Sequence, residues 1–150
     1  MLQPPSYRGS IELPSQDWLI EFRELTLQNQ IGKGAFGIVY AGKWRGQKVA
    51  IKKLRLPEGE QLTATEIENF QKEAAVMKGL RPHKNCVLLL GVAINPLCIV
   101  TEFVENGSLC DYLQKEKNIP LKTKMNIVKG IVYGMKRFFF DFLTSSLGMV

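Results

Sequence analysis

The chain has 150 residues, of which 45% are hydrophobic and 23% are charged, and its formal net charge is +6. These proportions are typical of a soluble globular domain, and the dispersed lysines and arginines favour a solvated basic surface over a nucleic-acid site. Cys86, Cys98 and Cys110 form no paired motif and the chain has one histidine, which favours a reduced, cytoplasmic setting without a metal site. The apolar runs are too short to span a bilayer, so we expect no membrane partner.

Taken in chain order, residues 1–17 are expected to be a flexible leader. The next segment carries spaced apolar side chains that should anchor the chain on an apolar surface: Trp18, Ile20, Phe22 and Leu25. Runs rich in β-branched residues, separated by turn residues, then predict five strands. We place these strands at residues 25–31, 38–44, 48–54, 87–93 and 97–102.

One helix is predicted between the third and fourth strands. Thr63 and Glu66 have the spacing of a capping box, and an apolar stripe follows at helical spacing, made of Ile67, Phe70, Ala74 and Met77. Two further helices are predicted at residues 109–117 and 122–137. The fold class is therefore α+β, with a five-stranded antiparallel sheet and one helix packed on it.

A glycine-rich run at residues 32–39 has the pattern G-x-G-x-x-G-x-V, and V-A-I-K follows it at residues 49–52. Glycine permits unusual φ values and close approach of a backbone to phosphates, and a lysine supplies the opposing charge. A dinucleotide site would need a helix after Gly37, whereas the residues that follow predict a strand. A P-loop would need Ser or Thr where Trp44 stands.

The two-residue period of a strand places Ala50 and Lys52 on one face and Val49 and Ile51 on the other. A small Ala50 would admit a flat base, and Lys52 would reach phosphate oxygens. Glu73, at the edge of the helical stripe, is the natural partner of this lysine. The pattern alone leaves open whether Glu73 pairs with Lys52 or is an exposed helix carboxylate.

Four segments together resemble the N-terminal lobe of a protein kinase, most closely the tyrosine-kinase-like group: residues 31–40, 44–52, 70–73 and 97–109. The resemblance implies a small lobe and hinge at 18–104, with the packed helix as its regulatory helix. It also implies the first two helices of an incomplete large lobe at 105–137. Residues 138–150 resemble nothing in the family and are expected to be a divergent apolar tail.

The resemblance also implies an ATP site. The glycine run would cover the phosphates, Ile31, Val39 and Ala50 would form a roof over adenine, and Lys52 would pair with Glu73 and contact phosphates. Thr101 would be the gatekeeper, Glu102 and Val104 would offer hinge backbone groups, and Met77 and Leu89 would belong to the hydrophobic stack. The implied nucleotide-binding residues are Ile31, Gly32, Lys33, Gly34, Ala35, Phe36, Gly37, Val39, Ala50, Lys52, Glu73, Thr101, Glu102 and Val104.

The catalytic half of the family pattern is missing from these 150 residues. Kinase chemistry uses H-R-D-x4-N and D-F-G motifs, and none of Asp17, Asp111 and Asp141 has an asparagine five residues later. Asp141-Phe142-Leu143 lacks the glycine of D-F-G and follows the long helix too closely. We therefore expect no catalytic or metal-binding residue, and a truncated or misspliced product that is inactive and binds ATP weakly.

The 122–143 segment should expose an apolar face, because the family buries this helix in the large lobe. We expect self-association or a protein partner there. The alternative function is a non-catalytic, pseudokinase-like interaction module. His83 is interpreted as a turn or core residue, and a preference for Ser/Thr or Tyr stays open.

Overall fold

A computed structural model describes residues 18–34, 37–54 and 63–146, with side chains as far as Asp141. The expected leader at 1–17 and the loop residues Ala35 and Phe36 lie outside these ranges. The strands are β1 (Leu25–Gly34), β2 (Gly37–Trp44), β3 (Gln47–Leu54), β4 (Leu89–Ile94) and β5 (Leu97–Glu102). They form one antiparallel sheet in the order β1-β2-β3-β5-β4, which confirms the predicted fold class.

The described residues also form three α-helices: α1 (Ala64–Gly79), α2 (Leu109–Lys115) and α3 (Leu121–Ser146). Helix α1 begins at the predicted capping box, because the Thr63 hydroxyl accepts a hydrogen bond from the Glu66 N–H. The Glu66 carboxylate in turn accepts a 2.8 Å hydrogen bond from the Thr63 N–H. This reciprocal pair satisfies two backbone donors that would otherwise lack partners at the start of the helix.

The two faces of the sheet bury separate apolar clusters. One face is covered by the N-terminal segment and contains Ile20, Leu25, Val49, Ile51, Ala93, Cys98 and Val100. The other face lies against α1 and contains Ala74, Leu89, Val92 and Ile99, with Met77 and Phe70 packed against them. Met77 and Leu89 thus lie in one cluster, as the resemblance implies.

The segment that precedes β1 is anchored on the sheet, as its apolar spacing predicts. Leu19 forms a parallel bridge with Val92, and the Ile20 N–H donates a 2.8 Å hydrogen bond to the Val92 carbonyl. A Cβ on Gly91 would lie 2.7 Å from the Trp18 carbonyl oxygen, so only glycine admits the segment this closely. Residues 18–20 therefore cover the outer edge of β4.

Helix α3 is longer than the predicted 122–137, because it continues without interruption to Ser146. Arg137 and Asp141 form an ion pair one turn apart, with Nε and Oδ2 separated by 2.9 Å. The buried Asp141 carboxylate also accepts a hydrogen bond from the Arg81 backbone N–H. These contacts attach the extension to the loop before β4. No helix in the described ranges combines the length and sustained apolarity of a bilayer span.

Candidate nucleotide-binding site

The strand register brings five of the predicted site residues to one face of the sheet. Gly32 pairs with Val39, Val39 with Lys52, and Ala50 with Thr101. Directly paired residues in antiparallel strands present their side chains on the same face, and Ala50 and Lys52 are two residues apart. Val49 and Ile51, on the other face, are fully buried, so the facing predicted for β3 is confirmed.

Lys52 and Glu73 form an ion pair at this face. The Lys52 Nζ lies 2.7 Å from both carboxylate oxygens of Glu73, which α1 carries towards the sheet. The side chains are 31% and 42% exposed, so the pair remains open to solvent and to a ligand. The sequence pattern left open whether Glu73 pairs with Lys52 or is an exposed helix carboxylate, and this geometry shows that the two residues pair.

The three glycines of the run differ in how much space their surroundings leave for a Cβ atom. A Cβ on Gly37 would lie 2.5 Å from the Lys53 carbonyl oxygen, so the β2–β3 pairing itself requires glycine there. A Cβ on Gly34 would meet nothing within 4 Å in the described part of the chain, and one on Gly32 would make only ordinary contact with Val39. The described glycines with positive φ are Gly46 and Gly107. The expected need for unusual φ values in the run is therefore wrong, because these glycines adopt strand geometry.

Ile31 and Lys33 of β1 lie on either side of Gly32. Between the Gln30–Tyr40 and Gly32–Val39 pairs the register shifts, so Ile31 is the additional residue of a β-bulge. Its side chain is 49% exposed. Lys33 is also exposed, but it pairs with Ile38 and Ile38 pairs with Lys53, so the register places the Lys33 side chain on the opposite face of the sheet.

The hinge follows β5. The Thr101 hydroxyl donates a 3.2 Å hydrogen bond to the Glu102 carbonyl, and the Glu102 N–H and carboxylate are bonded to the Leu88 backbone. The Val104 carbonyl accepts from the Gly107 N–H, whereas the Val104 N–H donates to none of the residues that the structure describes. The Val104 N–H is therefore one of the hinge donors available to a ligand.

Sequence reasoning missed a link between the sheet and the hinge. Lys48 at the start of β3 places Nζ 2.8 and 3.0 Å from the Glu105 carboxylate oxygens, and 3.9 Å from the centre of the Phe103 ring. Lys48 and Glu105 are 57 residues apart, so no local pattern signals their contact. The missed N-cap Ser108, which accepts from the Asp111 N–H, does carry a local signal, because serine is a preferred cap.

The described acidic side chains do not assemble a catalytic or metal centre. The Asp111 carboxylate accepts a 2.7 Å hydrogen bond from the Ser108 hydroxyl at the start of α2, and Asp141 is buried within α3. Within the described ranges, no three His, Cys, Asp or Glu side chains lie close enough to hold a metal ion. His83 occupies the turn before β4, where its Nδ1 accepts from the Asn85 N–H.

Comparison with known families agrees with this geometry. Residues 25–139 match the model of the protein tyrosine and serine/threonine kinase family. The chain belongs to this family. The match to the kinase domain begins with β1 and ends within α3, so the chain holds the small lobe and only the first part of the large lobe.

Individual kinases support the same assignment. The chain is 39% identical over 127 residues to a probable serine/threonine-protein kinase of Dictyostelium discoideum, which covers 79% of the chain and 13% of that kinase. It is 42% identical over 125 residues to a putative serine/threonine-protein kinase/receptor of Acanthamoeba polyphaga mimivirus, and this match covers 81% of the chain and 7% of that protein. It is 32% identical over 133 residues to the serine/threonine-protein kinase STY17 of Arabidopsis thaliana, and this match covers 82% of the chain and 23% of that kinase. The chain thus spans less than a quarter of the length of each.

Proposed function

We propose that this kinase small lobe binds ATP on the sheet face that carries Lys52, with the phosphates under the β1–β2 glycine run. The observation that carries the proposal is the Lys52–Glu73 ion pair, because it holds a cation in place at a face that is open to a ligand. Space for a Cβ at Gly34 supports it, since the fold itself does not require glycine there. Val104 would bind adenine through its N–H, and Ala50 would pack on the base.

The Mg²⁺ that accompanies ATP in kinases does not fit the residues present. Asp111 and Asp141 are engaged in a helix cap and a buried ion pair, and the sequence lacks the aspartate and asparagine ligands of the family motifs. The same absence removes the aspartate that orients the attacking hydroxyl. We propose that the 150 residues bind ATP weakly and transfer no phosphoryl group on their own.

An NMR titration with ATP tests the binding proposal. We expect saturable shifts in β1, β2 and the hinge with a dissociation constant of about 1 mM or weaker, because only one side of the base is covered. Lys52→Met should weaken binding at least about fivefold, since a charged phosphate contact is lost. Lys53→Met is the matched control, because Lys53 is adjacent but faces the opposite side of the sheet. Equal effects of the two variants would contradict the proposal.

A kinase assay tests the proposal that the 150 residues transfer no phosphoryl group on their own. Time-dependent phosphorylation of a generic protein substrate, abolished in Lys52→Met, would overturn the inactivity that we propose. We also propose that the chain belongs to the tyrosine-kinase-like group and acts in the cytoplasm. The resemblance supports the tyrosine-kinase-like group, and three free cysteines, of which Cys98 is fully buried, support a reducing cytoplasmic setting.

A second candidate function is a non-catalytic interaction module. The observation that favours it is the exposed apolar surface of α3, where Val132, Met135 and Phe139 are each more than half exposed. Exposed apolar patches of this kind mark interaction surfaces in folded proteins. This function does not require nucleotide, and it is compatible with the missing catalytic motifs.

A further inference from the structure

Helix α3 carries an apolar seam with a regular spacing. Six large apolar residues follow one another at alternating steps of four and three, and each is at least 50% exposed: Leu121, Met125, Val128, Val132, Met135 and Phe139. This is the a/d spacing with which one helix packs along another. The seam is about 27 Å long at 1.5 Å per residue, which matches a partner helix of similar length.

The opposite side of α3 is fixed to the folded domain. A Cβ on Gly134 would lie 2.7 Å from the Asn85 carbonyl oxygen, so the backbones approach closely there. Two turns further on, the Asp141 carboxylate accepts a hydrogen bond from the Arg81 N–H, and Asp141 is 6% exposed. Because these contacts lie across the helix from the seam, α3 cannot rotate to bury the seam without losing them.

A row of lysines flanks the seam. Lys122, Lys129 and Lys136 repeat every seven residues, immediately after Leu121, Val128 and Met135, and all three are exposed. They occupy the e positions of the heptad, which select the partner by charge in paired helices. Asp141 is the one acidic residue in the sequence of α3, and it is buried and paired with Arg137.

A second copy of this chain is a poor occupant of the seam. Antiparallel pairing of two α3 helices would place the lysine row of one against that of the other. Parallel pairing would set the lysine row against Lys124, Ile131 and Phe138, which offer no carboxylate. Like charges along a helix contact are destabilising, so antiparallel self-pairing is opposed along the lysine row, and parallel self-pairing offers those lysines no ion pair.

An anionic membrane also fits the α3 seam less well than a second helix does. A helix that lies at a membrane surface keeps its polar face towards water, opposite the apolar face. In α3 the side opposite the seam is covered by the domain through Gly134 and Asp141, and the lysines stand beside the seam on one flank. This arrangement fits a second helix better than a lipid surface.

We propose that the α3 seam docks an amphipathic helix of a protein partner that carries apolar residues at a and d and glutamate or aspartate beside them. This inference rests on the second candidate function and does not depend on nucleotide binding. The apolar seam supplies affinity through burial, and the lysine row selects for acidic partners and sets the register of pairing.

The test uses two labelled designed peptides of about three heptads with identical apolar seams. One carries Glu at its e and g positions and the other carries Lys. By fluorescence anisotropy with the 150-residue chain, the Glu peptide should bind at least about tenfold more tightly than the Lys peptide, and added salt should reduce the difference. In the double variant Lys129→Glu/Lys136→Glu the order of the two peptides should reverse.

The double variant Lys115→Glu/Lys117→Glu is the matched control, because it makes the same charge change outside α3, and it should keep the original order. Circular dichroism would show that each variant is folded. Equal binding of both peptides would contradict the selection of an acidic partner, but it would not contradict the interaction function itself. Binding of neither peptide at about 100 µM would overturn the inference, as would a dimer abolished by Val132→Asp, or lysine-dependent binding to phosphatidylserine vesicles in place of the peptide.

Discussion

Lys48 on β3 and Glu105 beyond the hinge are held together by two hydrogen bonds of 2.8 and 3.0 Å. The same ammonium lies 3.9 Å from the centre of the Phe103 ring, so one lysine contacts two residues of the segment that links the sheet to α2. Because Val104 lies between Phe103 and Glu105, the contact fixes the backbone that we propose binds adenine.

Lys48→Met should therefore loosen the hinge more than the sheet. We expect a loss of about 0.5–1 kcal/mol in the free energy of unfolding, which is typical of an exposed ion pair with a cation–π contact. Amide exchange at residues 103–107 should rise, while exchange in β2 should not. Lys43→Met, at the residue paired with Lys48 on β2, is the control. Uniform exchange changes in both variants would show that Lys48 does not act on the hinge.

Glu73 should affect ATP binding without contacting ATP. Glu73→Gln removes the charge that holds Lys52 at 2.7 Å, so the lysine loses its fixed position and ATP affinity should fall about two- to fivefold. The effect should be smaller than that of Lys52→Met in the same NMR titration. Glu68→Gln is the matched control, because Glu68 lies on the same helix and pairs with the exposed Lys72. A loss of affinity in Glu68→Gln as large as that in Glu73→Gln would contradict a positioning role.

Gly34 and Gly37 should respond differently to the same added methyl group. Gly37→Ala drives a Cβ to 2.5 Å from the Lys53 carbonyl oxygen, so it should cost about 1–3 kcal/mol in urea unfolding. Gly34→Ala meets no described atom within 4 Å and should change stability by less than about 0.5 kcal/mol. ATP affinity should nevertheless fall in Gly34→Ala, because the methyl group would occupy the phosphate side of the strand pair. Unchanged affinity there would count against phosphate binding at Gly34.

The stability of the chain should depend on Glu24 in acid. Hydrogen bonds from Arg45 and then Trp44 hold the pKa of Glu24 below its usual value of 4.5. The folded chain therefore binds this proton less readily than the unfolded chain, and the resulting stabilisation is complete above pH 4.5 and lost as the pH falls through the lowered pKa. Melting temperatures from pH 6 to pH 3 should fall less steeply in Glu24→Gln than in the parent chain. Parallel curves for the two proteins would contradict this role.

Local patterns predicted the parts of the fold that local physics determines. The capping box at Thr63 and the facing of Ala50 and Lys52 both follow from a few neighbouring residues. The Lys52–Glu73 pair needed the family resemblance as well, because the sequence pattern alone left Glu73 undecided.

Long-range contacts account for what the sequence did not reveal. Lys48 meets Glu105 across 57 residues, and the Arg81 N–H meets Asp141 across 60. The extension of α3 beyond Arg137 was missed for this reason, since its anchor is the loop before β4. The requirement of the fold for glycine at position 37 was also missed, because the nearby atom is a carbonyl on β3 and that pairing is not visible in the glycine motif.

The strand-like segment before β1 shows that the folded lobe begins before the family match does. The family match starts at residue 25, yet Ile20 belongs to the buried cluster and the Ile20 N–H caps the edge of β4. A recombinant fragment cut at the start of the match would leave the β4 edge unpaired and uncover Val92. Such an edge is a template for intermolecular strand pairing, so the shortest well-behaved fragment must retain Trp18.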